Sequence, residues 1–195
     1  SIAAYRYIGN RVVERAYHNG TRLSTLNNSG NGNVGYDNLG RLTQLRHLTS
    51  NNSLLAGYSY GYNKENIKLY SENLANPNLS EVYKYDPSYR INSYQCGTLN
   101  TTKDAVTGAA SQSQTWQLDG VGNWASTTVD GVTKTQAVNS MNEYTNFAGV
   151  PQIHDQNGNL TNDGERLFFY DFANRLVEVR DKDDNSLIGQ YKYDA

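Results

Sequence analysis

Residues 35–45 read GYDNLGRLTQL, and residues 169–179 read FYDFANRLVEV. The same order stands in both: tyrosine, aspartate, two variable positions, a small residue, arginine and leucine. Alignment on the aspartate gives eight starts in all, at Asp37, Gly61, Asp86, Asp119, Asn139, Asp155, Asp171 and Asp194. Successive starts lie 24, 25, 33, 20, 16, 16 and 23 residues apart, about 22 on average. Three residues after each start come Gly40, Lys64, Tyr89, Gly122, Asn142, Gly158 and Asn174. Five of these seven are Gly or Asn, the residues that reach the left-handed backbone region at least cost. The next position is polar in every copy, and the one after it is apolar in six of seven. A degenerate further copy is expected upstream, in YRYIGNRVVER at residues 5–15.

These columns describe the corner of a β-hairpin. An Asp or Asn that opens a turn accepts a hydrogen bond from the N–H two residues on. A left-handed fourth residue then returns the chain to the ladder through a bulge. The approaching strands alternate: Tyr5/Tyr7, Tyr58/Tyr60/Tyr62, Tyr83/Tyr85 and Tyr191/Tyr193 share one side, with Arg6, Ser59, Lys84 and Lys192 on the other. Period-two alternation rich in aromatics is a strand signal. KENIKLYSENLA, residues 64–75, has the best helical pattern and still reads as strand and loop. Eight or nine copies of about 22 residues predict on the order of 16 to 18 antiparallel strands, a ribbon too wide to stay flat.

Composition agrees. Only 37% of the 195 residues are hydrophobic and 18% charged, with a mean hydropathy of -0.73. Disordered chains share that polarity but are poor in aromatics, and this one carries 16 Tyr. A net charge of -2 argues against a nucleic-acid binder. The single cysteine, Cys96, excludes an internal disulfide framework. No apolar run is long enough to span a bilayer as a helix. The start, SIAAYRYIGN, lacks both Met and the features of a signal peptide, so a piece of a longer protein is expected. Residues 97–115, GTLNTTKDAVTGAASQSQT, break the rhythm and read as a flexible insertion in a strip that otherwise covers 1–195.

YDNLGRLTQL (36–45), YKYDPSYRI (83–91), HDQNGNLTNDG (154–164), FYDFANRLVEV (169–179) and GQYKYDA (189–195) resemble the tyrosine-aspartate repeat of the rearrangement-hotspot, RHS or YD-repeat, family. VNSMNEYTNF (138–147) resembles its degenerate Asn-type copy. The resemblance implies an all-β strip of antiparallel hairpins curling into part of a spiral shell. In bacterial toxins of the family the shell encloses a C-terminal toxic segment; in animal relatives it is part of a cell-surface adhesion protein. The repeat itself is scaffold. Some members carry a self-cleaving aspartyl protease element after the last repeats, and no such motif is visible here. Asp86-Pro87 lies inside a repeat turn and is not promoted to a cleavage site.

Candidate chemistry is weighed against that scaffold. In DKDDNS (181–186), Asp181, Asp183 and Asn185 match the first calcium-loop ligands, but Ser186 and Lys192 stand where Gly and Glu are needed. A solvated hairpin tip is the expectation. His18, His47 and His154 have no metal-ligand spacing, and His154 holds the tyrosine column before Asp155. Cys96 lies in no activated-thiol motif and reads as a buried or incidental thiol. A hydrolase would have to bring two of Asp119, Asp155, Asp171 or Glu165 into one pocket. Trp116 and Trp124, flanking LDGVGN, are the candidates for stacking on a sugar. The expectation is a non-enzymatic shell segment without cofactor or metal, from a bacterial secreted or cell-surface protein. Its turns are built by Asp37, Gly40, Asp86, Asp119, Gly122, Asn139, Asn142, Asp155, Gly158, Asp171 and Asn174. Its expected partners are the remaining repeats of the parent chain and an enclosed toxin segment or other cargo, with no nucleic acid and no membrane insertion. The alternative is an adhesion module binding a cell-surface glycan or protein through its outer face.

Overall fold

A computed structural model of the chain describes residues 2–194. It forms two compact units, Ser1–Gln114 and Thr115–Ala195. The first holds β1 (Ala3–Ile8), β2 (Arg11–Tyr17), β3 (Arg22–Ser24), β4 (Gln44–Leu48), β5 (Leu54–Tyr62), β6 (Lys68–Asn73), β7 (Glu81–Tyr85) and β8 (Ile91–Cys96). β9 (Gln112–Leu118) contains the boundary. The second holds β10 (Trp124–Val129), β11 (Val132–Val138), β12 (Tyr144–Phe147), β13 (Val150–Pro151), β14 (Ile153–His154), β15 (Leu160–Asn162), β16 (Arg166–Tyr170), β17 (Leu176–Asp181) and β18 (Leu187–Gln190). Strand order follows chain order throughout, in sheets of thirteen and five antiparallel strands. Among the described residues the only helical element is a single 3-10 turn, Pro77–Leu79. The protein is all-β, and the eighteen strands of its described residues fall within the roughly 16 to 18 expected from the repeat.

Strand-to-next-strand connection follows from the sequence. Apart from the longer β3–β4 and β8–β9 connections the turns are short, so the chain folds back on the strand it has just made. Alternation then sorts the side chains. Tyr58 and Tyr60 stack on one face of β5 with ring centroids 6.3 Å apart, and Tyr5 and Tyr7 do so on β1 at 6.4 Å. Across strands, Tyr83 of β7 opposes Tyr94 of β8 at 5.9 Å. Such cross-strand pairs are the unit of sheet stabilisation. The upstream stretch differs from the expected degenerate copy. β1 and β2 are joined by the two-residue turn Gly9–Asn10, with Gly9 at φ 60° and Ile8 paired to Arg11. A positive φ at the first turn residue gives the two-residue connection a backbone twist that matches that of the flanking strands, and Gly reaches it without strain.

The core is thin. In the first unit Val13 and Leu26 are 1% exposed, joined by Leu48, Val82, Cys96 and Leu99; in the second, Val179 and Gln136 are buried. Full burial of one such aliphatic side chain stabilises by about 1.5–3 kcal/mol. Stability is therefore spread over neighbouring hairpins rather than held in one centre.

The stretch between β8 and β9 carries a small hairpin of its own. Leu99 bridges to Val106, the Asn100 N–H donates to the Ala105 carbonyl at 2.9 Å, and the Thr107 N–H donates to the Thr98 carbonyl at 2.7 Å. Thr98 Oγ1 reaches Asn78 Oδ1 at 2.7 Å, and Lys103 pairs with Glu72 of β6.

Glycine is required where a ring lies on the sheet. On β5, a Cβ at Gly61 would sit 2.1 Å from Cε1 of its cross-strand partner Tyr70. Gly61→Ala must push the ring off its strand, and overpacking of this kind costs about 1–3 kcal/mol. A lowered urea midpoint checks this; an unchanged midpoint refutes the contact.

Candidate functional site

Seven corners share one geometry, opening at Asp37, Asn63, Asp86, Asp119, Asn139, Asp155 and Asp171. In each, the opening N–H donates to the carbonyl four residues on, at 2.9–3.0 Å. The opening Oδ1 accepts the N–H groups two and four residues on, at 2.8–3.0 Å. The fourth residue of each corner is left-handed: Gly40 (φ 81°), Asn66 (66°), Tyr89 (62°), Gly122 (102°), Asn142 (68°), Gly158 (82°) and Asn174 (58°). Tyr89 adopts this region although a bulky side chain there costs roughly 1–2 kcal/mol. The ladder closes between the residue before the corner and the sixth residue of the corner, as in Tyr85↔Ile91 and Tyr170↔Leu176, with a bulge just before the tyrosine. This corrects one sequence position. The second corner opens at Asn63, two residues after Gly61, so its fourth residue is Asn66 and not Lys64. YSYGYN presents tyrosine at every second position, and a slip of two keeps every side chain on its face. Hydrogen bonding alone picks the register.

The second carboxylate oxygen finds the side chain four residues on. Arg41 Nε donates to Asp37 Oδ2 at 2.6 Å, Arg90 to Asp86 at 2.7 Å and Arg175 to Asp171 at 2.8 Å. Asn123 and Asn159 donate to Asp119 and Asp155, both at 2.9 Å. At Asn139 the polarity is inverted: its Nδ2 donates to Glu143 Oε2 at 2.7 Å. Asp with Arg or Asn, and Asn with Glu, are the pairings that supply one donor and one acceptor.

Consecutive corners are tied to one another. Tyr62 donates its hydroxyl to the Leu42 carbonyl of the preceding corner at 2.9 Å, Tyr85 to Lys68 at 2.8 Å, Tyr170 to Leu160 at 2.9 Å and Tyr193 to Leu176 at 2.7 Å. Each acceptor is the sixth residue of the earlier corner. Where Val138 replaces the tyrosine, its cross-strand partner Tyr144 takes over, accepting from the Trp124 N–H at 2.9 Å. The corner arginines cover the same rings: Arg41 lies 5.0 Å from the Tyr62 centroid and Arg175 4.9 Å from that of Tyr193. Arg41 also donates to the Asn63 carbonyl at 2.6 Å, and Asn123 to Asn142 Oδ1 at 2.6 Å. Sequence reasoning placed the tyrosines on strand faces and missed their hydroxyl partners. The Asn139–Glu143 exchange was a visible signal for the corner pairing.

No protein-family model matches the sequence, and no curated protein matches it. Solved structures match its fold. A chain of the Photorhabdus luminescens Tc holotoxin pore with a TccC3 mutation superposes at a TM-score of 0.57 and 15% identity, over 93% of this chain and 10% of that one. The TcdB2-TccC3 crystal structure gives 0.57 at 14% over 94% of this chain, and TcdB2-TccC3 without its hypervariable C-terminal region gives 0.56 at 14% over 94%. This chain shares their fold, an all-β strip of antiparallel hairpins, as its resemblance to the RHS/YD-repeat family implied. It spans about a tenth of their length.

The other sequence candidates take their places around the repeat. Asp119, Asp155 and Asp171 each bond within their own corners, and Glu165 is exposed beside β16. Asp181–Ser186 is the tip between β17 and β18, with Asp181 Oδ1 accepting the Asp183 N–H at 2.8 Å. His154 pairs with Leu160, and His47 lies 6.1 Å from the Tyr17 ring. Cys96 is buried, with its thiol 3.7 Å from the Asn78 carbonyl. The two tryptophans part company. Trp124 lines a groove of about 580 Å³ with Tyr144, Phe147, Gln152 and His154, whereas Trp116 does not line it.

Hydrogen bonding sets the charge state of the repeat. The Arg41 N–H first, and then its guanidinium, hold the Asp37 carboxyl below its ordinary value; Asp86 and Asp171 behave alike with Arg90 and Arg175. The Asn123 and Asn159 side chains are the leading cause at Asp119 and Asp155. Burial raises Tyr85 and Tyr170, keeping their hydroxyls as donors. Tyr94 is pushed up to about 12, by burial first and then by the Glu81 charge.

A carboxyl whose pKa is lower folded than unfolded stabilises above the unfolded value and loses that contribution as pH falls through the folded one. Stability is thus expected to decline below about pH 4, the ordinary range of Asp. Asp37→Asn, Asp86→Asn and Asp171→Asn together retain an Oδ1 acceptor but cannot titrate, so the decline becomes shallower. Melting temperature against pH for both proteins checks it, and parallel curves refute it.

Proposed function

We propose that this chain is a wall segment of an RHS-type shell, a non-enzymatic scaffold of a bacterial secreted protein that encloses a toxin or other cargo. One observation carries the reading: the side chains that recur in phase spend their polar atoms on corners and on the next corner. A strip whose recurrent chemistry is internal is suited to separating two spaces. Likeness to Tc toxin chains over nearly the whole segment supports the same role. A walled-off segment is cut only when the wall opens, so its proteolysis follows the opening equilibrium. In the intact parent protein, limited trypsin digestion is expected to spare the enclosed segment, and mild urea that opens the repeat is expected to expose it. Equal cleavage of the segment with and without the repeat intact counts against enclosure.

A second reading, adhesion to a glycan, has one observation in its favour. Trp124 is exposed, and its groove adds Tyr144 and Phe147 to the polar ends of Gln152 and His154. Aromatic faces with polar neighbours suit sugar rings. Trp124→Ala is expected to abolish binding on a glycan array under this reading; binding that survives the change rejects the groove as the site.

A further inference from the structure

Arg46 departs from the pairing of the corner arginines Arg41, Arg90 and Arg175 with carboxylates. It lies on β4 and is 8% exposed. Its two terminal nitrogens donate to neutral oxygens, the Asn28 side chain and the Leu26 carbonyl. Nε is buried without an acceptor among the described residues. No carboxylate pairs with it among the described residues. Glu14 of β2, which lines the same cavity, is engaged by Arg22 at 3.3 Å.

Register explains the cluster. Glu14 opposes Ser24, Ser24 opposes Arg46, and Arg22 opposes Leu48, so all of these side chains stand on one face of β2–β3–β4. They line a cavity of about 170 Å³ together with Asn27, Asn28 and Asn52 of the adjoining loops. Two guanidiniums and one carboxylate leave the cavity with one net positive charge. Burial, and then the charge of Arg22, push the Arg46 pKa down, but a guanidinium does not lose its proton in a protein. A buried charge without a counter-charge costs several kcal/mol, and buried ions are as a rule paired. The planar fork of arginine matches an oxyanion with two oxygens in one plane.

We propose that the cavity bounded by Arg22 and Arg46 is a binding site for a small oxyanion, either a free tetrahedral anion or the carboxylate of another segment of the parent protein. The anion neutralises Arg46, accepts from its free Nε and from Arg22, and locks the Asn27–Gly32 loop onto the sheet. The inference is independent of the shell reading, since it rests on charge and burial in one unit alone.

The test is thermal unfolding of the full chain titrated with sodium phosphate or sodium acetate, sodium chloride holding ionic strength constant. A ligand that binds only the folded state raises the melting temperature as the logarithm of its concentration above Kd. A general salt effect instead rises without a binding threshold and is indifferent to Arg46. The expected result is a binding curve in the wild type that Arg46→Gln abolishes. Because Arg46→Gln also removes two bonds to the loop, Arg22→Gln serves as the second variant; Arg22 is partly exposed, and its loss is expected to weaken phosphate binding by roughly tenfold. A response to phosphate alone identifies a free oxyanion as the occupant, and a response to acetate identifies a carboxylate. A response to neither anion, or one identical in wild type and Arg22→Gln, overturns the proposal.

Discussion

A residue in the left-handed region, three places after a side chain that caps the turn, is the constraint on which this structure rests. Seven corners meet it with φ between 58° and 102°. Without it the chain cannot re-enter the ladder after a turn whose opening N–H and fourth carbonyl-side residue are both hydrogen-bonded. Gly and Asn meet it cheaply. Asp or Asn at the opening supplies the oxygen that gathers two N–H groups. Because the core is thin, the corners rather than a hydrophobic centre fix which strand pairs with which.

The corner is also where so polar a chain satisfies its polar groups. Asp is matched by Arg or Asn, and Asn139 by Glu143, so that one donor meets one acceptor in six of the seven corners; Asn63, with Ile67 four residues on, is the seventh. The hydroxyls of Tyr62, Tyr85, Tyr170 and Tyr193 satisfy a carbonyl of the corner before, and the rings of Tyr62 and Tyr193 also pack under an arginine. Val138 breaks the tyrosine column, and Tyr144 restores the bond from across the ladder with the reverse polarity. A latch that survives exchange of its residue is a property of the spacing between corners, not of one side chain.

Such a strip leaves few polar side chains for chemistry, and this bears on function. Asp119, Asp155 and Asp171, which look catalytic in a list of residues, are turn-formers whose carboxyls are held below their ordinary pKa by the bonds of their own corners. Two places depart from the pattern. The groove at Trp124 offers apolar surface beside polar ends, and the cavity at Arg46 offers positive charge without its complement. Both arise where side chains from several hairpins meet, not within one copy of the repeat.

By itself the sequence determined the hairpin strip. The Asp-to-Gly spacing, the alternating tyrosines and the turn-rich composition are local facts, and the bonds they dictate close within five residues. Even there it misplaced one corner by two residues, since tyrosine at every second place makes Gly61 and Asn63 equivalent to a period-two pattern. Only the tertiary structure decided what meets across strands: the tyrosine hydroxyls with their carbonyls, the Tyr144 substitution, and the stranding of Arg46 opposite Ser24 while Glu14 is taken by Arg22. The reason is register. Which residues face one another across successive hairpins depends on the bulges and loop lengths between them acting together, and no single stretch of the chain contains that information.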